Sequence, residues 1–180
     1  MPPRPAHARI RIDPVLDRLA YRCPNGCPRD RTCCVGLAVE VSRREIRVID
    51  SLMDELARLR PALREDGGYA NVFVEDGRSM LIEPQDDAGT CPFLFRRGDR
   101  SLCSIHHLAL ETQRLVPAVK PGACRQWPLV LVRARGGVRV SVHPAAERIG
   151  CVAPVAELPG HPTVREAFAS EIAELTRRRR

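Results

Sequence analysis

Eight cysteines dominate the chemistry open to this chain: Cys23, Cys27, Cys33, Cys34, Cys91, Cys103, Cys124 and Cys151. The first four crowd into twelve residues among Pro, Gly and Asn, a loop composition. A thiolate is a strong ligand, and a structural zinc takes four ligands in a tetrahedron. Loops suit that task because ligand vectors must converge on one point. The later four cysteines are distant in sequence, so only folding brings them together, and a bound metal would then contribute folding energy. Eight thiolates match two four-cysteine sites, or one such site with spare thiols, and the spacing does not partition them. Cys33 and Cys34 are adjacent. On an extended backbone neighbouring side chains diverge, so the pair serves two sites or needs an unusual turn. Gly26 and Gly36 offer the backbone freedom for one.

Zinc knuckles usually show C-x2-C pairs, whereas the nearest spacing here is C-x3-C. Iron–sulfur proteins favour all-cysteine ligation, sometimes with proline beside a ligand, and Cys23-Pro24, Cys27-Pro28 and Cys91-Pro92 follow that habit. The residues leave zinc and an iron–sulfur cluster both open, with a slight lean to iron–sulfur. Disulfides are the poorer reading. The N-terminal Met1-Pro2-Pro3-Arg4-Pro5 lacks the apolar core of a signal peptide. No apolar run approaches the roughly 20 residues that span a bilayer. The expectation is a cytoplasmic protein with no membrane partner, in a compartment that keeps thiols reduced.

Other residues bear on the site. His106 and His107 follow Cys103 by three and four positions and could ligate or donate to a ligand, although a solvated helix face explains them more simply. His143, before Pro144, reads as a strand end. Arg125 beside Cys124 can offset thiolate charge, because four thiolates on one Zn²⁺ leave a net negative site. Trp127, the single tryptophan, reads as a core anchor beside Pro128. Glu40 and Glu45 carry little weight as acid–base carboxylates. No nucleophile–base pair, phosphate-loop glycine pattern or dinucleotide fingerprint occurs. The net charge of +7 includes the tail Arg177 to Arg180. Basic charge attracts phosphate, but aromatics are only 4% of the chain, too few for a base-stacking set, so nucleic acid ranks as the weakest partner. No protein partner is indicated.

The elements that must position these residues are short. Ser42-Arg43-Arg44-Glu45 is a capping box, followed by Ile46, Ile49, Met53 and Leu56 at helical spacing, and Pro61 stops this helix near Arg60. Residues 70–82 read as a hairpin turning at Asp76-Gly77, and residues 129–142 as a second around Arg135-Gly136-Gly137. Ser104 to Leu115 reads as a short helix. Thr163-Val164-Arg165-Glu166 opens a last helix with Phe168, Ile172 and Leu175 on its stripe. Residues 1–22 read as irregular, 23–176 as the cysteine-cluster domain and 177–180 as a basic tail. The fold class expected is α+β: a small single domain with two β-hairpins and two to three helices, stitched by cysteine-rich metal-binding loops.

The order Cys23-x3-Cys27-x5-Cys33-Cys34, then Glu45-Ile46, Cys91-Pro92-Phe93-Leu94, Cys103-Ser104-Ile105 and Cys124-Arg125-Gln126-Trp127-Pro128 resembles the YkgJ-type cysteine-cluster family. The resemblance spans roughly residues 23–151. It implies a zinc- or iron-chelating, or iron–sulfur, domain whose metal cysteines fall at Cys23, Cys27, Cys33, Cys34, Cys91, Cys103 and Cys124, with Cys151 at a looser late position. His106-His107 and Lys120-Pro121 depart from the usual pattern. The function expected is a metal-binding cysteine-cluster protein with a structural or redox role. A metal-dependent redox or protein-modifying enzyme is the alternative, and a nucleic-acid module a weaker one.

Overall fold

Both capping boxes form. Ser42 Oγ accepts from the Glu45 N–H at 3.3 Å while the Glu45 carboxylate takes the Ser42 N–H at 2.7 Å, opening the helix Arg43–Asp50. Thr163 and Glu166 repeat the exchange at 3.2 and 2.8 Å and open Val164–Ala167. Neither helix runs as far as its apolar stripe. The Leu52 N–H reaches back only to the Ile49 carbonyl at 2.9 Å, and the Ser51 hydroxyl donates to the Val48 carbonyl at 2.7 Å. This tightened turn ends one helix before the next, Met53–Leu59, begins. Arg60 then caps that helix ahead of Pro61, as expected. Phe168 makes a similar break, at φ −118°, before Ala169–Arg177.

The computed structural model describes residues 9–23, 27–28, 31–134 and 137–177. Met1–Pro5, Pro24, Gly26, the Arg135-Gly136 turn and the tail arginines 178–180 lie outside the described residues. Within them the expected fold class is corrected. The chain is mixed α/β, with nine α-helices and thirteen strands in five small sheets rather than two hairpins and two to three helices. Nor do the described residues show the metal-binding loops expected to stitch it. Among the described residues no group of three or more His, Cys, Asp or Glu side chains is arranged to hold an ion. The physical reason lies in the short apolar runs. Each Val/Leu/Ile run spans only one strand or one to two helical turns, and two separate cores collect them.

One unit comprises Met1–Pro24 and Gln126–Arg180. Its strands Leu129–Ala134 and Gly137–Val142 pair antiparallel, Leu129 opposite Val142. Arg9–Ile12 adds a parallel strand with Ile10 opposite Val138. That strand, the helix Val15–Arg18 and the strand Leu19–Tyr21 occupy a segment read above as irregular. Leu19–Tyr21 pairs with Val152–Pro154. Leu16, Val140, Val152, Val164, Phe168 and Ile172 fill the core.

The other unit is Asn25–Arg125. One sheet joins Val39–Val41, Ser79–Ile82 and Phe73–Asp76, with Gly77 at φ +60° in the hairpin turn. A second joins Cys27–Pro28, Arg100–Cys103 and Leu94–Arg97. The strands Arg64–Glu65 and Gly68–Tyr69 form a third. Ile49, Leu56, Leu63, Phe93 and Ile105 make the centre of its core, with Cys91 and Cys103 packed at its margin. No described helix is long and apolar enough to cross a membrane.

Candidate functional site

Six of the eight cysteines fall in the unit Asn25–Arg125, carried by separate elements. Cys27 sits in a two-residue strand opposite Ser101. Cys33 and Cys34 occupy a turn in which the Cys34 N–H donates to Thr32 Oγ1 at 3.2 Å. The Cys34 carbonyl then accepts from the Cys91 N–H at 2.8 Å, joining two segments 57 positions apart in sequence. A bridge between Val35 and Thr90 and a 3.0 Å bond from the Gly36 N–H to the Gly89 carbonyl extend that join. The crossing is tight enough to require glycine. Gly89 stands at φ +76°, and a Cβ there would lie 3.1 Å from both Cα and N of Gly36.

Cys103 ends the hairpin strand opposite Leu94 and is the N-cap of Ser104–Glu111. Cys124 rides on the short helix Gly122–Gln126. The first N–H of that helix, from Gly122, donates to Glu45 Oε1 at 2.6 Å.

The thiols act on one another. Cys27 hydrogen-bonds to Cys33, and that bond, burial and the Cys33 charge push the Cys27 thiol far up. The Cys27 bond alone would lower Cys33, but a bond to Cys34 and burial outweigh it and lift Cys33 to about 12. Burial first, then the charges of Cys103, Cys124 and Cys33, raise Cys91 to about 12. Burial and the charges of Cys103 and Cys33 raise Cys124 to about 12, with Lys120 pulling back. Cys33, Cys91, Cys103 and Cys124 therefore share one electrostatic environment, and Cys33, Cys91 and Cys124 hold their protons at neutral pH. None of the eight is in a disulfide.

The remaining predicted residues divide. Cys23 is exposed and Cys151 buried, both in the other unit. The Cys151 thiol donates to the Ala146 carbonyl at 3.4 Å inside that unit's core. His107 is not a solvated helix residue: its Nε2 meets Glu111 Oε1 at 3.0 Å and its ring lies 5.3 Å from Phe95. Burial and the charges of Lys120 and His107 lower the pKa of His106, which keeps its ring neutral. His143 Nδ1 accepts from the Ala145 N–H at 3.1 Å, beside the Trp127 ring at 5.0 Å. Trp127 packs against its unit's core, as an anchor would. Glu40 accepts from the Ser79 hydroxyl at 2.6 Å.

Sequence reasoning gave no site role to three contributors. Lys120, the single lysine of the chain, acts on Cys33, Cys124 and His106. Its uniqueness was a readable signal. Ser101 and Ser104 are 3% and 0% exposed, and their hydroxyls have no hydrogen-bond partner among the described residues. Arg125 Nε, beside Cys124, is orphaned likewise. Only their places within two residues of Cys103 pointed to the two serines.

The donor chemistry suits a thiophilic metal: six thiols in one unit, with orphaned hydroxyls flanking Cys103. Hydrogen bonds link Cys27 to Cys33 and Cys33 to Cys34, and among the described residues no three donor side chains form a closed ligand set. No family model matches the chain, and neither a curated protein nor a solved structure matches it.

Proposed function

We propose that the unit Asn25–Arg125 binds zinc or an iron–sulfur cluster through cysteine thiolates, with Cys33, Cys91, Cys103 and Cys124 as the ligand set and Cys27 and Cys34 beside it. The observation that carries this reading is the mutual influence of these four partly buried thiols, which arrive on four separate segments. Proximity of like-charging groups raises their pKa values and favours the thiol. A thiophilic cation reverses that balance, because ligation requires the thiolate and releases the proton.

The chain's own residues then hold the sulfurs. The Cys34–Cys91 backbone bond and the Gly36–Gly89 crossing fix the two loops. The strand–helix junction presents Cys103. Lys120 offsets part of the negative charge. Zinc would supply folding energy and an iron–sulfur cluster an electron-carrying centre. The resemblance in cysteine order to YkgJ-type proteins implies a wider set, Cys23, Cys27, Cys33, Cys34, Cys91, Cys103 and Cys124, which includes these four. A reducing compartment such as the cytoplasm keeps the thiols competent.

The test is titration of the reduced, metal-stripped chain with Co²⁺ in the absence of oxygen. The expected result is thiolate-to-cobalt absorption that saturates at a fixed stoichiometry, with about one proton released per ligating thiol. Cys91→Ser and Cys124→Ser should lose it and Cys151→Ala should keep it. A wild-type chain that is folded yet develops no such absorption sinks the reading.

A further inference from the structure

The Glu45 carboxylate is shared between two elements. Its Oε2 takes the Ser42 N–H and the Ser42 hydroxyl, each at 2.7 Å, and so completes the cap of Arg43–Asp50. Its Oε1 takes the Gly122 N–H at 2.6 Å, across 77 positions of sequence. The capping box explains the first set of bonds and leaves the second unexplained.

Gly122 begins the five-residue helix Gly122–Gln126 that carries Cys124. So short a helix does not hold itself in water, and its first amide protons have no partner within it. The bare face of Gly122 is closed in by two side chains. A Cβ there would lie 3.3 Å from Glu45 Oε1 and 3.8 Å from Arg125 Nη2. Burial pushes the Glu45 carboxyl up, but the Ser42 and Gly122 donors outweigh it and hold the group below its ordinary value, in its charged, strongly accepting form.

We propose that Glu45 is a positioning residue for Cys124: its second oxygen pins the start of the Cys124 helix to the start of Arg43–Asp50, and so fixes where that thiol stands. The functional meaning rests on the ligand-set reading above, whereas the positional effect does not.

The test is residue-resolved thiol labelling of the full chain with a pulse of iodoacetamide, in reductant and chelator, read by peptide mass spectrometry. Glu45→Ala removes the acceptor. Gly122→Pro removes the donor at a first-turn position that tolerates proline and keeps the carboxylate, while its ring crowds Glu45 Oε1, which lies 3.3 Å from a Cβ there. Each should speed labelling of Cys124 relative to Cys91 by about tenfold, as expected for one lost charge-assisted hydrogen bond. The double variant should be no faster than the faster single one. Ser42→Ala removes only the hydroxyl bonds to Glu45 and leaves the Ser42 and Gly122 N–H bonds in place, so it should leave the ratio unchanged.

The proposal is overturned if either single variant leaves the Cys124-to-Cys91 ratio as in the wild type. It is also overturned if Ser42→Ala raises the ratio as much, or if all six thiols of the unit accelerate alike. The labelling contains no metal, so it stands apart from the ligand-set reading. A second arm measures Co²⁺ affinity, which should weaken in both variants. Absence of Co²⁺ binding in the wild type would defeat the ligand-set reading while leaving the labelling result intact.

Discussion

Cys124 and Cys151 are the same residue type with different fates. Cys124 sits among other thiols and a lysine, while Cys151 is sealed in a hydrocarbon core with its thiol on a carbonyl. Cys151→Ala should therefore cost about 1–2 kcal/mol, as a lost weak bond and a small cavity do, measured by urea denaturation, with Co²⁺ uptake unchanged. The cluster thiols make a pH prediction. Below pH 9 both folded and unfolded chains keep these protons. Cys33, Cys91 and Cys124 are raised from 9.0 to about 12, so above 9 the unfolded chain releases protons that the folded one retains. Stability of the metal-stripped protein should thus fall as pH rises through that window, read as a declining urea midpoint. A midpoint constant between pH 8.5 and 10.5 would contradict the thiol environment described. Residue type made the cysteines legible as donors. Which of them gather was not legible, because grouping depends on loop crossings that no local spacing encodes.

At the scale of elements, the legible parts were those whose cause is local. Ser42 and Glu45, or Thr163 and Glu166, need only each other, and both boxes form. The hairpin turning at Gly77 is local too. The hairpin of Leu94–Arg97 with Arg100–Cys103 was missed, because Arg96, Arg97, Asp99 and Arg100 hide any apolar alternation and only Gly98, at φ +59°, marks its turn. The Gly36–Gly89 crossing is the element-level feature on which the sulfur arrangement depends. Gly89→Ala should cost roughly 1–3 kcal/mol through positive-φ strain and contact with the Gly36 backbone, seen as a lower urea midpoint. Gly67→Ala, also at positive φ but with nothing within 4 Å of the added Cβ, is the control and should cost less. Equal losses would show that the crossing is not tight.

The whole molecule divides in a way its composition conceals. The chain begins one unit, leaves it after Pro24, builds the other, and returns at Gln126. Pro24, Asn25 and Gly26 stand at the first point but read as part of a cysteine loop rather than a linker, so one continuous domain was the natural reading. Each unit has its own core, and the cysteine-rich one spans Asn25–Arg125. Added Zn²⁺ should therefore slow amide hydrogen exchange chiefly across residues 27–125, with little change in Leu129–Ala134 or Ala169–Arg177. Protection spread evenly over both units would place the ligand elsewhere.

The most direct test of the central claim is metal and acid-labile sulfide analysis of the native protein, purified without oxygen, beside Cys91→Ser and Cys124→Ser. The account predicts a stoichiometric thiophilic metal in the wild type, with or without sulfide, that is lost from both variants. A folded wild-type protein carrying no such metal, or variants that retain it in full, would contradict the account.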